Sequence, residues 1–268
     1  MRWAALVAAL AVACGTAPTN AALAESVRLV YHKGDVYTYS YHATANEKVD
    51  GVATTYEITA RQTYTVISVD SDGTAELSLA LTDLAIKATV GNITNPLSTS
   101  PNPAIEIRAA RDGRILRFAG SSQAPEVAWA VLPDKSVKPG DTWSKDYDST
   151  TDGAGATHIR TKSTYLRVES FGGSSASVVK TTSDATSDIT GSPLGPNVIG
   201  GATSVGIKGT ENSEVTSWID LRTHRLLKTH MTSTTDSIMT PEPAGSTLNG
   251  TSGPIAITAS ITIDLIPV

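Results

Sequence analysis

Val137-Lys138-Pro139-Gly140-Asp141-Thr142-Trp143 is the second appearance of a pattern that Lys33-Gly34-Asp35-Val36-Tyr37 introduces earlier in the chain. Each copy sets a Gly-Asp turn directly before an aromatic strand. The chain then follows the same course twice, at offsets of 106 (Gly34 to Gly140), 101 (Tyr64 to Tyr165) and 111 (Arg114 to Arg225). The drift falls in loops, as expected of one duplicated unit. Two copies are too few for a solenoid, so the halves, about 27–120 and 133–239, are expected to share one sheet.

Working outward from the first copy, Tyr37, Tyr39, Tyr41, Ala43 and Ala45 alternate with Thr38, Ser40, His42 and Thr44, the period of a strand with one apolar face. Asp50-Gly51 is a hairpin signal. Thr54 to Val69 continues as a long strand through Tyr56, Ile58, Ala60, Tyr64 and Val66, until Ile67 and Val69 take the opposite parity, a sign of a bulge. Asp70-Ser71-Asp72-Gly73 turns into a third strand whose phase shifts near Asp83. Gly91 to Pro103 is polar and predicts an exposed loop. A hairpin about Asp112-Gly113 follows, and Ser121 to Leu132, with Pro125 in its first turn and Pro133 behind it, predicts one short helix near 122–132.

The second half repeats the strands more weakly. Its Gly-rich stretch from Gly191 to Gly209 replaces the first loop, and its hairpin carries Arg225-Leu226 where the first carries Arg114-Ile115. Ile255, Ile257, Ala259, Ile261, Ile263 and Leu265 then alternate through a final strand at 255–266, which is expected to seal an edge of the sheet. The predicted fold is therefore mainly β: two related halves forming one strongly curved antiparallel sheet or open barrel, a single domain over 25–268.

The hydrophobic content is 40%, with only 2 Phe, and the net charge is −5. An acidic chain without a basic stripe argues against a nucleic-acid partner. Met1-Arg2, the apolar run from Trp3 to Ala13 and Ala22-Leu23-Ala24 have the order of a signal peptide cleaved after residue 24. A second reading of the same segment is a lipobox, Ala11-Val12-Ala13-Cys14-Gly15, with residues 1–13 removed and Cys14 lipidated. Both readings export the chain to the periplasm, the cell surface or the medium. No later stretch is apolar enough for a transmembrane helix. Both also leave the folded part without a thiol, because Cys14 is the sole cysteine.

Residues that carry chemistry are scattered. His32, His42, His158, His224 and His230 show no metal-ligand spacing. Asp70-Ser71-Asp72-Gly73 lacks the rest of a calcium loop, and no nucleophile elbow is present. The pairs Asp146 with Asp148 and Asp184 with Asp188 suit solvated surfaces better than acid–base work. No catalytic residue, metal site or cofactor is assigned, and the chain is not expected to be an enzyme. Tyr37, Tyr39, Tyr41, Tyr56 and Tyr64 are the candidate ligand-binding set, because tyrosine offers an apolar body and a polar tip. Ordinary core packing is the competing account of the same residues.

Leu132-Pro133, Val137, Gly140-Asp141-Thr142-Trp143 and Asp220 with Arg225-Leu226 resemble the Leu-Pro … Val-x-x-Gly-Asp-x-Trp core and Asp-x-x-x-x-Arg-Leu hairpin of uncharacterised secreted bacterial β-rich families. More distantly, long meandering strands with one helix resemble lipoprotein carriers of the LolA and LppX type. That resemblance implies a half-barrel holding acyl chains. The expected function is an exported envelope protein that binds a lipid or other apolar or amphiphilic ligand on a curved sheet; the alternative is a non-catalytic structural module that binds an envelope protein. Intact-mass measurement of material from the native host is expected to show a chain starting at Glu25 or a diacylated Cys14. An uncleaved product contradicts both readings.

Overall fold

A computed structural model describes residues 24–97, 104–119, 129–152, 155–191, 204–242, 247–248 and 251–268. The first half supplies β1 (Val36–Val49), β2 (Val52–Val69), β3 (Ala75–Val90), β4 (Ile93–Leu97), β5 (Ile105–Ala109) and β6 (Ile115–Ala119). The second supplies β7 (Thr142–Thr151), β8 (Gly155–Phe171), β9 (Ser174–Gly191), β10 (Ser204–Asp220) and β11 (Leu226–Glu242). A two-residue ribbon, β12 (Thr247–Leu248) with β13 (Thr251–Ser252), precedes β14 (Ile255–Pro267).

The sheet closes on itself. Its order is β2-β1-β14-β11-β10-β9-β8-β7-β6-β5-β3, and β2 pairs with β3 to complete an eleven-stranded barrel, with β4 lying beside the upper part of β3. Closure follows from the duplication. Each half is a meander of five barrel strands, so its first and last strands run the same way. Where the halves meet directly, β6 and β7 are parallel and pair only through Arg117–Thr150 and Phe118–Thr151. At the other seam β14 lies antiparallel to both β11 and β1. The strand expected to seal an edge is thus an interior strand, and the barrel wall has no free seam there.

Many local signals have the predicted geometry. Asp50 and Gly51 both have positive φ in a two-residue hairpin, the combination a tight hairpin turn requires. The parity change at Ile67 is a bulge between Val66 and Ser68, and the phase shift near Asp83 is a bulge at a residue with φ +53°. Both opening turns close alike. Gly34 N donates to Val66 O at 2.9 Å and Val66 N to Asp35 O at 2.9 Å; Gly140 N donates to Tyr165 O at 2.7 Å and Tyr165 N to Asp141 O at 3.0 Å. The structural counterpart of Tyr165 is therefore Val66, two residues beyond the Tyr64 that sequence alignment selects.

Three expectations need correction. Within the predicted loop, Ile93–Leu97 is a strand, reached from β3 by a tight turn at Gly91, φ +59°. The barrel is closed, where the carrier resemblance implies a half-barrel. Of the helix expected near 122–132, residues up to 128 lie outside the described ones, and Trp129 to Leu132 are not helical. They run through the barrel interior instead, with Ala130, Val131 and Leu132 fully buried. Ala130 N donates to Ser217 Oγ (2.9 Å), Val131 N to Thr181 Oγ1 (2.9 Å) and Leu132 N to Asp112 O (2.7 Å). Inward hydroxyls and a carbonyl thus accept from N–H groups that a helix would turn toward its own carbonyls.

Around this inner segment one end of the barrel is filled. Tyr64 meets Tyr39 edge-on at 6.0 Å and Trp129 at 5.5 Å, above Leu77, Leu79, Ile105 and Ile107. The amino-terminal segment closes the floor through Val27 and Leu29, with Leu29 N bonded to Arg111 O and Glu25 bridged to Val137. The filling sets a hard limit at the Asp112-Gly113 turn. A Cβ on Gly113 (φ +84°) would lie 2.5 Å from the Ala130 carbonyl oxygen, whereas one on Gly51 (φ +85°) would meet nothing within 4 Å. Gly51→Ala is expected to cost about 1 kcal/mol from backbone strain alone, and Gly113→Ala clearly more. Urea unfolding of the two variants checks this, and equal losses would refute the threading of the inner segment against that turn.

Candidate functional site

The barrel's two ends differ, and the five candidate tyrosines divide between them. Tyr39, Tyr41 and Tyr64 point inward at the filled end and are 5%, 4% and 1% exposed. The Tyr39 hydroxyl donates to Leu226 O at 2.8 Å and that of Tyr64 to Gln62 Oε1 at 2.9 Å, while burial pushes both hydroxyl pKa values well up. Half-buried Tyr37 sits at the rim. Its hydroxyl donates to Asp35 Oδ2 at 2.8 Å, and the Arg225 guanidinium lies 5.2 Å from the centre of its ring. That hydrogen bond holds the Asp35 carboxyl below its usual pKa despite partial desolvation, with His32 and Arg225 adding to the effect. Tyr56 alone of the five stands at the opposite end, half-exposed. The structure therefore brings Tyr37, Tyr39 and Tyr64 together as packing and leaves no shared ligand wall of five.

A cavity of about 20 Å³ lies among Leu29, Tyr31, Tyr37, Tyr39, Tyr64 and Trp129. The Tyr31 hydroxyl and Trp129 Nε1 are buried there without partners. That volume holds about one water molecule, so the space among these tyrosines has no room for an apolar ligand.

The other end is built from the same strands. Ala43, Ile263, Met231, Val215 and Thr181 form one cross-strand row on the inner face, and all are buried. Beyond it the strands continue at the same parity with residues that are half-exposed, apart from buried Ser233. The next rows are Ala45–Ile261–Ser233–Ser213–Ser183, Glu47–Ala259–Thr235–Glu211–Ala185 and Val49–Ile257–Ser237–Gly209–Ser187. Most of these side chains are small, so they leave space rather than fill it. Gly209 is part of this economy: a Cβ there would lie 2.6 Å from that of Ser237. Near the mouth Val205 and Ile255 are buried again, packed with Val49, Met239 and Ile257. The inner wall is thus apolar at its base, hydroxyl-rich and small in the middle, and apolar near the mouth.

Two carboxylates stand on this wall. Glu47 and Glu211 belong to one row, three strands apart, or roughly 14 Å along the sheet at normal strand spacing. Glu47 accepts a hydrogen bond from Tyr56, whose hydroxyl pKa is raised first by burial and then by that charge. Ser233 Oγ donates to Glu211 Oε1 at 3.0 Å. The sequence held a signal for both. Glu47 keeps the parity of Tyr41, Ala43 and Ala45, a charge on an otherwise apolar strand face, and Glu211 keeps that of Val215 and Ile219, a charge on a face that also carries Ser213 and Ser217.

The residues weighed for catalysis lie on the outer face. His158 bridges Asp146 (3.1 Å) and Asp148 (2.8 Å), Asp188 pairs with Lys208, and His230 pairs with Asp264. His158 and His230 are separated by intervening strands and do not meet. Asp70 closes its turn by donating N–H to Thr74 O, and Asp72 accepts from Thr74 N, the work of a hairpin. Cys14 lies outside the described residues. Neither a scan against protein-family models nor a search of curated proteins finds a match to this chain.

The placement separates two tyrosines by experiment. Tyr64→Ala is expected to cost about 3–5 kcal/mol, as for a fully buried large aromatic, while Tyr56→Ala changes stability by less than about 1 kcal/mol. Chemical denaturation of both variants is the check, and comparable losses would contradict the division of the barrel into two ends.

Proposed function

We propose that the chain is an exported, non-catalytic envelope protein that carries an apolar or amphiphilic ligand in the half-exposed end of its barrel. One observation carries this reading. The inner faces of β1, β9, β10, β11 and β14 are buried at the Ala43–Thr181 row and mostly half-exposed beyond it, with Ser233, Val205 and Ile255 the buried exceptions and no change of parity. Side chains that face inward and still meet solvent line space that the described residues do not fill, and apolar-lined concavities with few polar groups are where small molecules bind.

The outer face supports a barrel surrounded by water. Lys87 with Glu57, Lys180 with Glu214, Lys208 with Asp188 and Arg160 with Asp146 are cross-strand ion pairs on that face. Each adds little stability, but together they interrupt the apolar band that a lipid-embedded barrel presents. The leader at residues 1–24 supports export, with lipidation at Cys14 as the second way of leaving the cytoplasm.

Ala259 sits in the middle of the inner wall and is the position to block. Ala259→Trp is expected to abolish uptake of the uncharged fluorescent probe Nile red while leaving the thermal midpoint within a few degrees of the parent. Organic extraction of protein purified from its native host, followed by lipid mass spectrometry, is expected to yield a stoichiometric amphiphile. Protein that is empty on extraction and takes up no probe would overturn the carrier reading in favour of a structural module.

A further inference from the structure

Resting on the carrier reading, we infer that the ligand's polar group is a cation: an amine, guanidine or quaternary ammonium borne on an apolar body. Glu47 and Glu211 are carboxylates of the inner wall at the half-exposed end; the one Lys, Arg or His of inward parity in the neighbouring rows among the described residues is Lys145, which continues the Ser213–Ser183 row through Thr161. On β1 the flanking inward positions are Ala45 and Val49; on β10 they are Ser213 and Gly209; the row between the two carboxylates is Ala259 and Thr235. Lys48, Lys87, Arg160 and Lys208 take the opposite parity and face outward. The cations nearest the interior, Lys145 and Arg114, are already committed, Lys145 to Asp112 and Asp134 and Arg114 to Asp112.

Each carboxylate has one neutral hydroxyl donor, Tyr56 for Glu47 and Ser233 for Glu211. An ionised carboxyl group has about four acceptor sites, so a single hydroxyl donor leaves most of its capacity free, and a concave wall focuses the field of two like charges. A cation gains there and an anion is repelled. The rows on either side suit the rest of such a molecule: Ile58 and Ile261 below, Val49, Ile257 and Met239 above. On the outer face, Glu57, Glu214 and Asp188 are paired by Lys87, Lys180 and Lys208.

Isothermal titration of the mature protein with three C12 amphiphiles below their micelle concentrations tests this: dodecyltrimethylammonium, dodecyl maltoside and dodecyl sulfate. The cationic probe is expected to bind about tenfold or more tighter than the sulfate, by a margin that shrinks as salt is added. In Glu47→Gln/Glu211→Gln, which retains an acceptor oxygen for each hydroxyl and nearly the same side-chain volume, that preference is expected to vanish, the cationic and anionic probes then binding alike. Equal binding of all three probes by the parent protein, or a preference that survives in the double variant, would overturn the cation inference and leave the carrier reading standing. Binding of none of the three would overturn the carrier reading and this inference with it. Circular dichroism of the double variant, matching the parent, ties any loss of preference to the charges rather than to unfolding.

Discussion

An inserted peptide segment inside a barrel has no strand beside it, yet its N–H groups must be hydrogen-bonded once water is gone. This constraint organises the filled end. Trp129 to Leu132 finds its acceptors in two inward hydroxyls, Ser217 and Thr181, and in the Asp112 carbonyl; the Val131 carbonyl in turn accepts from Trp143 Nε1. Those hydroxyls are held by others, Thr181 by Ser163 and Ser217 by Thr229, all of them buried. Serine and threonine at inward positions, which reduce apolar burial, are explained by the backbone they serve. Replacing them with apolar residues would strand donors, each at a cost of about 1–3 kcal/mol.

The same segment turns the barrel into two compartments. A wall of long strands encloses more interior than a chain with 2 Phe can fill along its whole length. The inner segment, the amino-terminal segment and the tyrosines concentrate at one end. What remains of β1, β9, β10, β11 and β14 carries many Ala, Ser and Thr inward, most of them in contact with water. A rigid base and an accessible upper wall thus come from one distribution of volume, and the inner carboxylates stand where that distribution leaves room for a counter-charge.

Duplication supplies the frame. Each hairpin arginine reaches the opening strand of the other half: Arg225 lies over Tyr37, and Arg114 lies 5.4 Å from the centre of the Tyr147 ring. Such cation–π contacts contribute about 0.5–1 kcal/mol each where exposed, and they fix one half against the other at both seams. The seams are otherwise unequal. One is a short parallel contact of two residue pairs, and the other is filled by β14.

The sequence by itself determined the strands, the turns and the repeat, because these depend on neighbours in the chain. Asp50-Gly51 needs only its own φ angles, and the bulges at Ile67 and Asp83 show as parity changes in a period of two. It did not determine which way the tyrosines would be used. Tyr39, Tyr41 and Tyr64 share a face with Ala45 and Glu47 under either account, and only the position of Trp129 to Leu132 made the first three core and left the others in a lumen. That segment was illegible locally: Val131 and Leu132 beside Pro133 have the composition of a helix end, and the hydroxyls that hold Val131 and Ala130 lie 50 and 87 residues away. Closure was decided the same way. Alternation in 255–266 announces a strand but no partner, and β14 becomes the closing strand because two meanders that begin at the same end leave a parallel seam, which an antiparallel strand can bridge on both sides.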